Sequence, residues 1–509
     1  MGLNNLLQTL GHVWWQAALV GVLGLVLVAV ALAYIIPRAR RGVLWRSSGT
    51  YIMLPLLLLG WGATGLVTAA LVKYPQGVQR LFEEEFTDPA RVQKLAQADL
   101  GAVPPTAVLP GAWPQWRGPR RDGVSTETGL LDAWPAGGPP VVWRQPLKGG
   151  YSSIAVVDGR LYTMDRDDGR ERVVCFDAAT GRELWAYAYD FDFRAMEGGN
   201  KYGAGPRATP TVYDGRVYTV GATGDFLCLE AAPQGNAPRL LWRHDLRREF
   251  DADVPDWGFA CSPLIEGDLV IVQPGGDDGS VAAFHRVTGQ VVWKALDDEN
   301  GYSSPVAATA AGVRQIICFT GEGVAGLRAS DGRRLWYFPW STSYRANIAT
   351  PIVVGDYVFI SSSYSKGCAL LELSPDGAGG IRVEPVYVRP NRVMRNHHSS
   401  CVFHGGYLYG FDSGGGLSLL KCVELASGEE KWASRDLAKG CVLYADGHLI
   451  VLTEEGLLAL VEATPEGFRK KGEFQALDGQ GDVWAAPALA DGRLYLRNHR
   501  EIICVDLRK

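Results

Sequence analysis

The residues of this 509-residue chain that could do chemistry are thinly spread, and their spacing excludes more than it assigns. Gly321–Gly326 reads GEGVAG, a glycine pattern that elsewhere cradles a dinucleotide pyrophosphate, and it follows the apolar run QIICFT. That chemistry needs a helix to open at the last glycine, with its N-terminus toward the phosphate. LRASDGRRLW follows instead, which reads as strand, turn and strand. The sequence contains no P-loop, GxSxG, HExxH or CxxCH, so nucleotide hydrolysis, that esterase type, zincin chemistry and covalent haem lack support. Nine scattered cysteines without a CxxC indicate neither a disulfide framework nor a zinc site. Cys175, Cys228, Cys422 and Cys504 recur in VVCFD, FLCLE, LKCVE and IICVD, as small buried side chains at one strand position would. The pair His397-His398 in MRNHHSS has no neighbouring Asp, Glu or Cys, so no metal site is expected.

The best functional signal is positional. Six segments, KYGAGPRATP, PDWGFACSP, NGYSSP, YRANIATP, VMRNHHSS and DVWAAP, each lead into a short strand of a repeating unit. If those strands are the innermost of a ring, the segments place Arg207, Trp257, Tyr302, Arg345, Asn347, Arg395, Asn396, His397 and Trp484 around one mouth. Cationic donors beside aromatic faces suit an anionic or planar ligand, or the carboxylates of a partner. The alternative is that several of these side chains merely hydrogen-bond between repeats and fix the axis.

The elements that must position them repeat along the chain. A short apolar strand, a tight turn and a second strand recur at Asp158-Gly159, Asp214-Gly215, Glu266-Gly267, Ala311-Gly312, Gly355-Asp356, Gly405-Gly406, Asp446-Gly447 and Asp491-Gly492. Glycine accepts the positive φ that two-residue hairpin turns demand, and the flanks GRLYTM and GRVYTV alternate as half-buried strands do. A second hairpin ends in tryptophan: FDAATGRELW at Trp185, AAFHRVTGQVVW at Trp293, AGLRASDGRRLW at Trp336 and KCVELASGEEKW at Trp432, with a variant at Trp242. Each of the four copies puts a glycine four residues before the tryptophan. Two hairpins make a four-stranded blade, which must pack against neighbours around a ring. The last repeat stops at CVDLRK without its tryptophan strand, and a spare one, PPVVWRQPL with Trp143, precedes the first turn. The expected fold is therefore all-β, an eight-bladed β-propeller over residues 113–509 closed by its N-terminal strand, with seven blades the alternative count.

Residues 1–74 read as a membrane anchor of two transmembrane α-helices, Val13–Ile36 and Tyr51–Val72, each long enough to cross about 30 Å of hydrocarbon. Arg38, Arg40, Arg41 and Arg46 between them place the connecting loop in the cytoplasm and the propeller outside it, on the periplasmic side of an inner membrane. Residues 75–112 read as a stalk and proline-rich linker. Setting aside the five cations of residues 1–73 leaves 45 basic against 55 acidic residues, which makes a nucleic-acid partner unexpected.

These repeats resemble the pyrroloquinoline-quinone-binding-like propellers over roughly residues 113–509. FDAATGRELW is similar to the tryptophan-docking motif of the quinoprotein alcohol dehydrogenases, and the same repeat builds the outer-membrane assembly factor BamB, a non-enzymatic member. WPQWRGPRRDGVS resembles the opening of exported propellers of this group. The enzyme branch implies pyrroloquinoline quinone, calcium and a catalytic aspartate, often with adjacent cysteines. This chain has no Cys-Cys pair and no evident Glu, Asn and Asp set in its lead-in segments, and Asp277-Asp278 falls in a turn. The first expectation is a non-catalytic, membrane-anchored scaffold that binds protein partners in the cell envelope, with no cofactor expected. The alternatives are a quinone- and calcium-dependent dehydrogenase of alcohols or sugars, and a sensor of a small anion.

Overall fold

The computed structural model describes residues 85–97, 111–191, 203, 205–233, 235, 237–277, 279–414, 416–479 and 483–509. The expected membrane hairpin lies outside these. Among the described residues no helix is long and apolar enough to cross a membrane.

The described chain forms eight antiparallel sheets, here blades 1–8. Their first strands are Ala155–Val157, Thr211–Tyr213, Leu264–Glu266, Val306–Ala310, Ile352–Val354, Val402–His404, Gly440–Ala445 and Ala488–Ala490. Within each blade the strands pair in chain order from the innermost outward. Blade 8 supplies three strands, and Val141–Pro146 adds the fourth by pairing with Glu501–Asp506. Trp143 stands opposite Cys504 in that ladder, so the ring closes as the spare strand predicts. Closure removes the open sheet edge that blade 8 would otherwise present.

The tryptophan pattern has a physical cause at the seams between blades. Trp143 donates its indole N–H to Ala178 O of blade 1 at 3.0 Å, Trp185 to Ala231 O of blade 2 at 3.2 Å, and Trp293 to Ala329 O of blade 4 at 3.2 Å. The rings of Trp143, Trp242 and Trp293 lie over the glycine of the next blade's turn. A Cβ at Gly181 would come within 2.6 Å of the Trp143 ring, and one at Gly332 within 2.6 Å of Trp293. These glycines also sit at φ 72°, so backbone conformation and ring clearance both require the missing side chain. The recurring cysteines stand opposite the rings, as in Trp185–Cys175, Trp242–Cys228 and Trp432–Cys422, where only a small side chain fits. All nine cysteines are buried and unpaired. Trp336 departs from the pattern, donating to Gln315 Oε1 within its own blade.

Two N-terminal pieces join the ring outside the blade repeats, the first of them from the stretch expected as a stalk. Phe86–Thr87 pairs with Ile381–Pro390 as a fifth strand on blade 5, and the helix Pro89–Gln97 packs behind it with Leu95 fully buried. Arg91 and Lys94 of that helix pair with the buried Glu372 of blade 5.

The second piece is WPQWRGPRRDGVS, Trp113–Ser125, which plugs the axis on the face formed by the first hairpin of each blade. Trp113 bridges to Val156 of blade 1, Val212 of blade 2 donates to Pro114 O, and Ser125 donates to Tyr444 O of blade 7. Trp116 reaches Thr350 at the lead-in to blade 5. Arg121 donates to Ser262 O and Pro263 O ahead of blade 3, and Arg117 to Ser400 O and Cys401 O ahead of blade 6. One segment thus ties six blades together.

Candidate functional site

The opposite face carries the lead-in segments and the loops between second and third strands of each blade, and there the aromatic side chains meet. Trp257 lies 5.5 Å from Tyr302 and 5.8 Å from Tyr344, measured between ring centroids. Tyr344 leads to Tyr364 at 6.1 Å, and Tyr364 to His397 at 5.2 Å. His397 stacks on His398 at 3.8 Å, His398 approaches Trp484 at 4.0 Å, and Trp484 stacks on Tyr151 at 4.8 Å. His499 closes edge-on to Tyr151 at 4.4 Å, and the Arg207 guanidinium lies 5.2 Å over the same ring. The result is an arc of nine rings that runs from blade 3 round to blade 1 at one mouth. Tyr344 is 63% exposed, and both it and Tyr364 hold positive φ, 60° and 54°. Bulky residues rarely adopt that backbone, and such strain gathers at functional sites.

The polar groups of the mouth are largely engaged with one another. Lys439 donates to Glu454 at 2.7 Å and to His397 Nδ1 at 3.2 Å, while Trp484 donates to the same Glu454 oxygen at 2.7 Å. Burial opposes the Glu454 charge, yet His398 and Lys439 hold its carboxyl below the usual range. Burial, with the charges of His398 and Lys439, pushes His397 down to about 3. Burial, with Arg497 and Arg207, pushes His499 down to about 4. Both imidazoles are therefore neutral at physiological pH, and with Lys439 donating to Nδ1, His397 carries its proton on Nε2, 3.2 Å from the Tyr364 hydroxyl.

Of the nine side chains expected at the mouth, Arg207, Trp257, Tyr302, His397 and Trp484 lie in the arc. Arg345 stands beside it, paired with Glu299 and half-exposed. The other three turn inward. Arg395 is bound bidentately by Asp412, at 2.7 and 3.0 Å, and Asp412 also pairs with Lys421 at 2.9 Å. Asn347 is fully buried, donating to Thr320 O and Trp340 O at 2.8 Å each. Asn396, 2% exposed, donates to Phe411 O at 3.1 Å. Arg207 has no salt bridge among the described residues: its guanidinium donates to the carbonyls of Gly203 and Gly205, the buried Glu171 acts on it from a distance, and burial lowers it to about 10.

Sequence reasoning missed Tyr151, Tyr344, Tyr364, His499, Lys439, Glu454 and Glu171. Tyr151 had a signal, because KGGYSSI ahead of blade 1 repeats the NGYSSP that carries Tyr302. Tyr344 stands one residue from Arg345 in a lead-in segment that was read for its polar groups. Glu171, Tyr364, Glu454 and His499 lie at the loops joining second and third strands, which reach the same face but were not searched. Glu171 is fully buried between blades 1 and 2, where it accepts from the Tyr189 hydroxyl at 2.7 Å and from the Ala222 N–H. Burial raises its carboxyl to about 7 against those hydrogen bonds.

Four carboxylates near the mouth have partners: Glu171 has Tyr189, Asp412 has Arg395 and Lys421, Glu454 has Lys439 and Trp484, and Asp298 has Thr320 and Tyr337, while Asp256, beside Trp257, acts on Tyr302. Among the described residues no three His, Cys, Asp or Glu converge as a metal-binding set. Calcium requires six to eight oxygens from one neighbourhood. Among the described residues no such oxygen set converges at the mouth.

The family model described as outer membrane protein assembly factor BamB matches residues 129–236 and 171–434. The chain belongs to that family. A curated relative, the quinoprotein alcohol dehydrogenase PedH of Pseudomonas putida, is 29% identical over 170 residues, 31% of this chain. That match spans 25% of the relative's length. The quinohemoprotein alcohol dehydrogenase from Comamonas testosteroni has a similar structure, with a TM-score of 0.56 at 14% identity over 82% of this chain and 84% of its own. Quinohemoprotein alcohol dehydrogenase ADHIIG from Pseudomonas putida HK5 gives 0.51 at 14% identity over 83% and 82%. At these identities the two structures speak for the family's propeller fold alone.

Proposed function

We propose that this protein is a ligand-binding propeller whose aromatic mouth takes a flat, ring-bearing anion. The observation that carries the reading is the arc of nine rings ending at Arg207, a cation without a salt bridge among the described residues. Rings hold a planar ligand by stacking, and a guanidinium over the same surface selects for negative charge. Arg345, Arg395, Lys439, Glu299, Asp412 and Glu454 are paired, so they add shape and little net field. Titrating the full-length protein with pyrroloquinoline quinone as a planar tri-acid probe, and following tryptophan fluorescence, tests this. Quenching that is lost in Trp257→Ala with Trp484→Ala supports the reading, and unchanged quenching in that variant sinks it.

The second reading is a quinone-dependent dehydrogenase. The curated relative supports it better than it supports a protein scaffold, since its name is that of a quinoprotein alcohol dehydrogenase. The donor set described above opposes it. Dye reduction with alcohols or sugars after addition of quinone and calcium decides between them.

The scaffold role, the anchor at residues 1–74 and a position outside the cytoplasm belong to the same proposal. Their support is the pair of apolar runs, the four arginines between them and the family's description. Protease protection of the propeller in inverted membrane vesicles, and recovery of specific partners after mild-detergent purification, are the expected results.

A further inference from the structure

The plug shows how this ring binds an extended chain. The innermost strand of each blade runs into a two-residue turn, and the pair that closes such a turn exchanges its hydrogen bonds, as Val157 and Arg160 do in blade 1. The residue before that pair therefore turns its N–H and C=O away from its own blade, toward the axis. In blade 1 that residue is Val156, which exchanges two hydrogen bonds of 2.8 Å with Trp113. In blade 2 it is Val212, donating to Pro114 O at 2.8 Å. In blade 7 it is Tyr444, which donates to Gly123 O at 2.9 Å and accepts from the Ser125 N–H at 2.8 Å. Ile265, Thr309, Val353 and Phe403 hold the same position in blades 3–6. Among the described residues no backbone partner meets their N–H groups. The plug takes one side of the ring and leaves the strand edges of four consecutive blades.

On this face lies a bowl of about 1650 Å³, walled on that side by Ile265, Ala307, Ile352, Val353 and Phe403 and bordered by Pro114 and Gln115 of the plug. Three arginines of its lining are paired with its own carboxylates, Arg120 with Asp122 at 2.9 Å, Arg286 with Asp214 at 2.8 Å and Arg314 with Glu266 at 2.6 Å. Little field remains there to select a charged guest. A bare strand edge is a template for another chain, and apolar side chains beside it favour β-branched residues in the chain that pairs.

We propose that the bowl docks an extended, uncharged, β-branched segment of a protein partner, held by backbone hydrogen bonds to one strand edge per blade across blades 3–6. This is the mode the plug uses on blades 7, 1 and 2, and the new surface is continuous with it. The site is independent of the aromatic mouth, which lies on the other face.

A fluorophore-labelled, end-capped peptide of sequence TVTVTV, titrated into the full-length protein and followed by polarisation, tests the assignment. Saturable binding is expected, with slower hydrogen exchange at Leu264–Glu266, Ile352–Val354 and Val402–His404, and no change at Ala155–Val157, which the plug already holds. Affinity should fall about tenfold in Ile265→Pro and in Val353→Pro, since each removes an N–H that faces the bowl and no bond of the blade's own ladder. Three results overturn the proposal: no saturable binding, undiminished affinity in both proline variants, or slow exchange at those strands before peptide is added, which would give the edges to the chain's own residues 98–110. Exchange in the unmodified protein decides the matter even where a proline variant fails to fold.

Discussion

Trp143 is the side chain that converts an eight-repeat ribbon into a ring, and replacing it by alanine isolates that contribution. Its ring is 8% exposed, packs 6.0 Å from Tyr495, covers Gly181 and donates to Ala178 O. Ala178 O retains a second donor in the Tyr495 hydroxyl at 3.2 Å, so no acceptor is orphaned. The loss is then one of buried surface and cavity, about 3–5 kcal/mol for a tryptophan-to-alanine change. Unfolding entropy of about 2.1 cal/mol/K per residue, over some four hundred residues, turns that into a fall of about 3–6 °C in Tm. Trp293→Ala removes the equivalent ring from a seam whose blades are joined by the chain on both sides. Both variants should melt lower by similar amounts, but only Trp143→Ala should become sensitive to proteases near residues 140–150. There the outer strand is held by blades 8 and 1, with Arg144 donating to Ala476 O at the end of blade 7. Arg497, fully buried, bridges the same two blades through Thr163 Oγ1 and Gly150 O and resists complete opening. Equal protease resistance of the two variants, or a fall below about 1 °C for Trp143→Ala, would refute closure by this strand.

Three further outcomes follow from the same geometry. Gly332→Ala, which sets a Cβ against the Trp293 ring at positive φ, should cost about 1–3 kcal/mol, seen as a lowered urea midpoint; an unchanged midpoint argues against the seam packing. Asp412→Asn leaves Arg395 and Lys421 without their shared carboxylate. It should cost about 3 kcal/mol of stability while probe binding at the mouth stays as it was; weakened binding at full stability would put Arg395 back in the site. Glu171 titrates near 7 when folded and near its ordinary 4.5 when unfolded, so the folded state binds the extra proton between those values. The stability it contributes is full below about 4.5 and is lost as pH rises through about 7. Glu171→Gln should therefore match the parent in Tm at pH 5 and exceed it at pH 8; a constant difference contradicts the buried carboxyl.

The fold was legible because its repeats are enforced locally. A glycine at positive φ under a neighbour's tryptophan, and a cysteine opposite that ring, leave a periodic trace in the sequence. The mouth was legible in part. Reading only the lead-in segments found Trp257, Tyr302, His397 and Trp484, and lost the rings and carboxylates that arrive on the second-to-third strand loops. Arg395 and Asn347 looked like ligand groups because their partners, Asp412 and the carbonyls of Thr320 and Trp340, stand on neighbouring strands with no local signature. The plug was invisible for the same reason. WPQWRGPRRDGVS has no strand or helix period, and its place is set by hydrogen bonds to blades hundreds of residues away.

Calorimetric titration of the full-length protein with pyrroloquinoline quinone, run with calcium and with a chelator, tests the mouth most directly. One binding event of equal heat in both conditions, abolished by Trp257→Ala with Trp484→Ala and unaccompanied by dye reduction, is the predicted result. Binding that requires calcium and yields turnover with alcohols or sugars would contradict it.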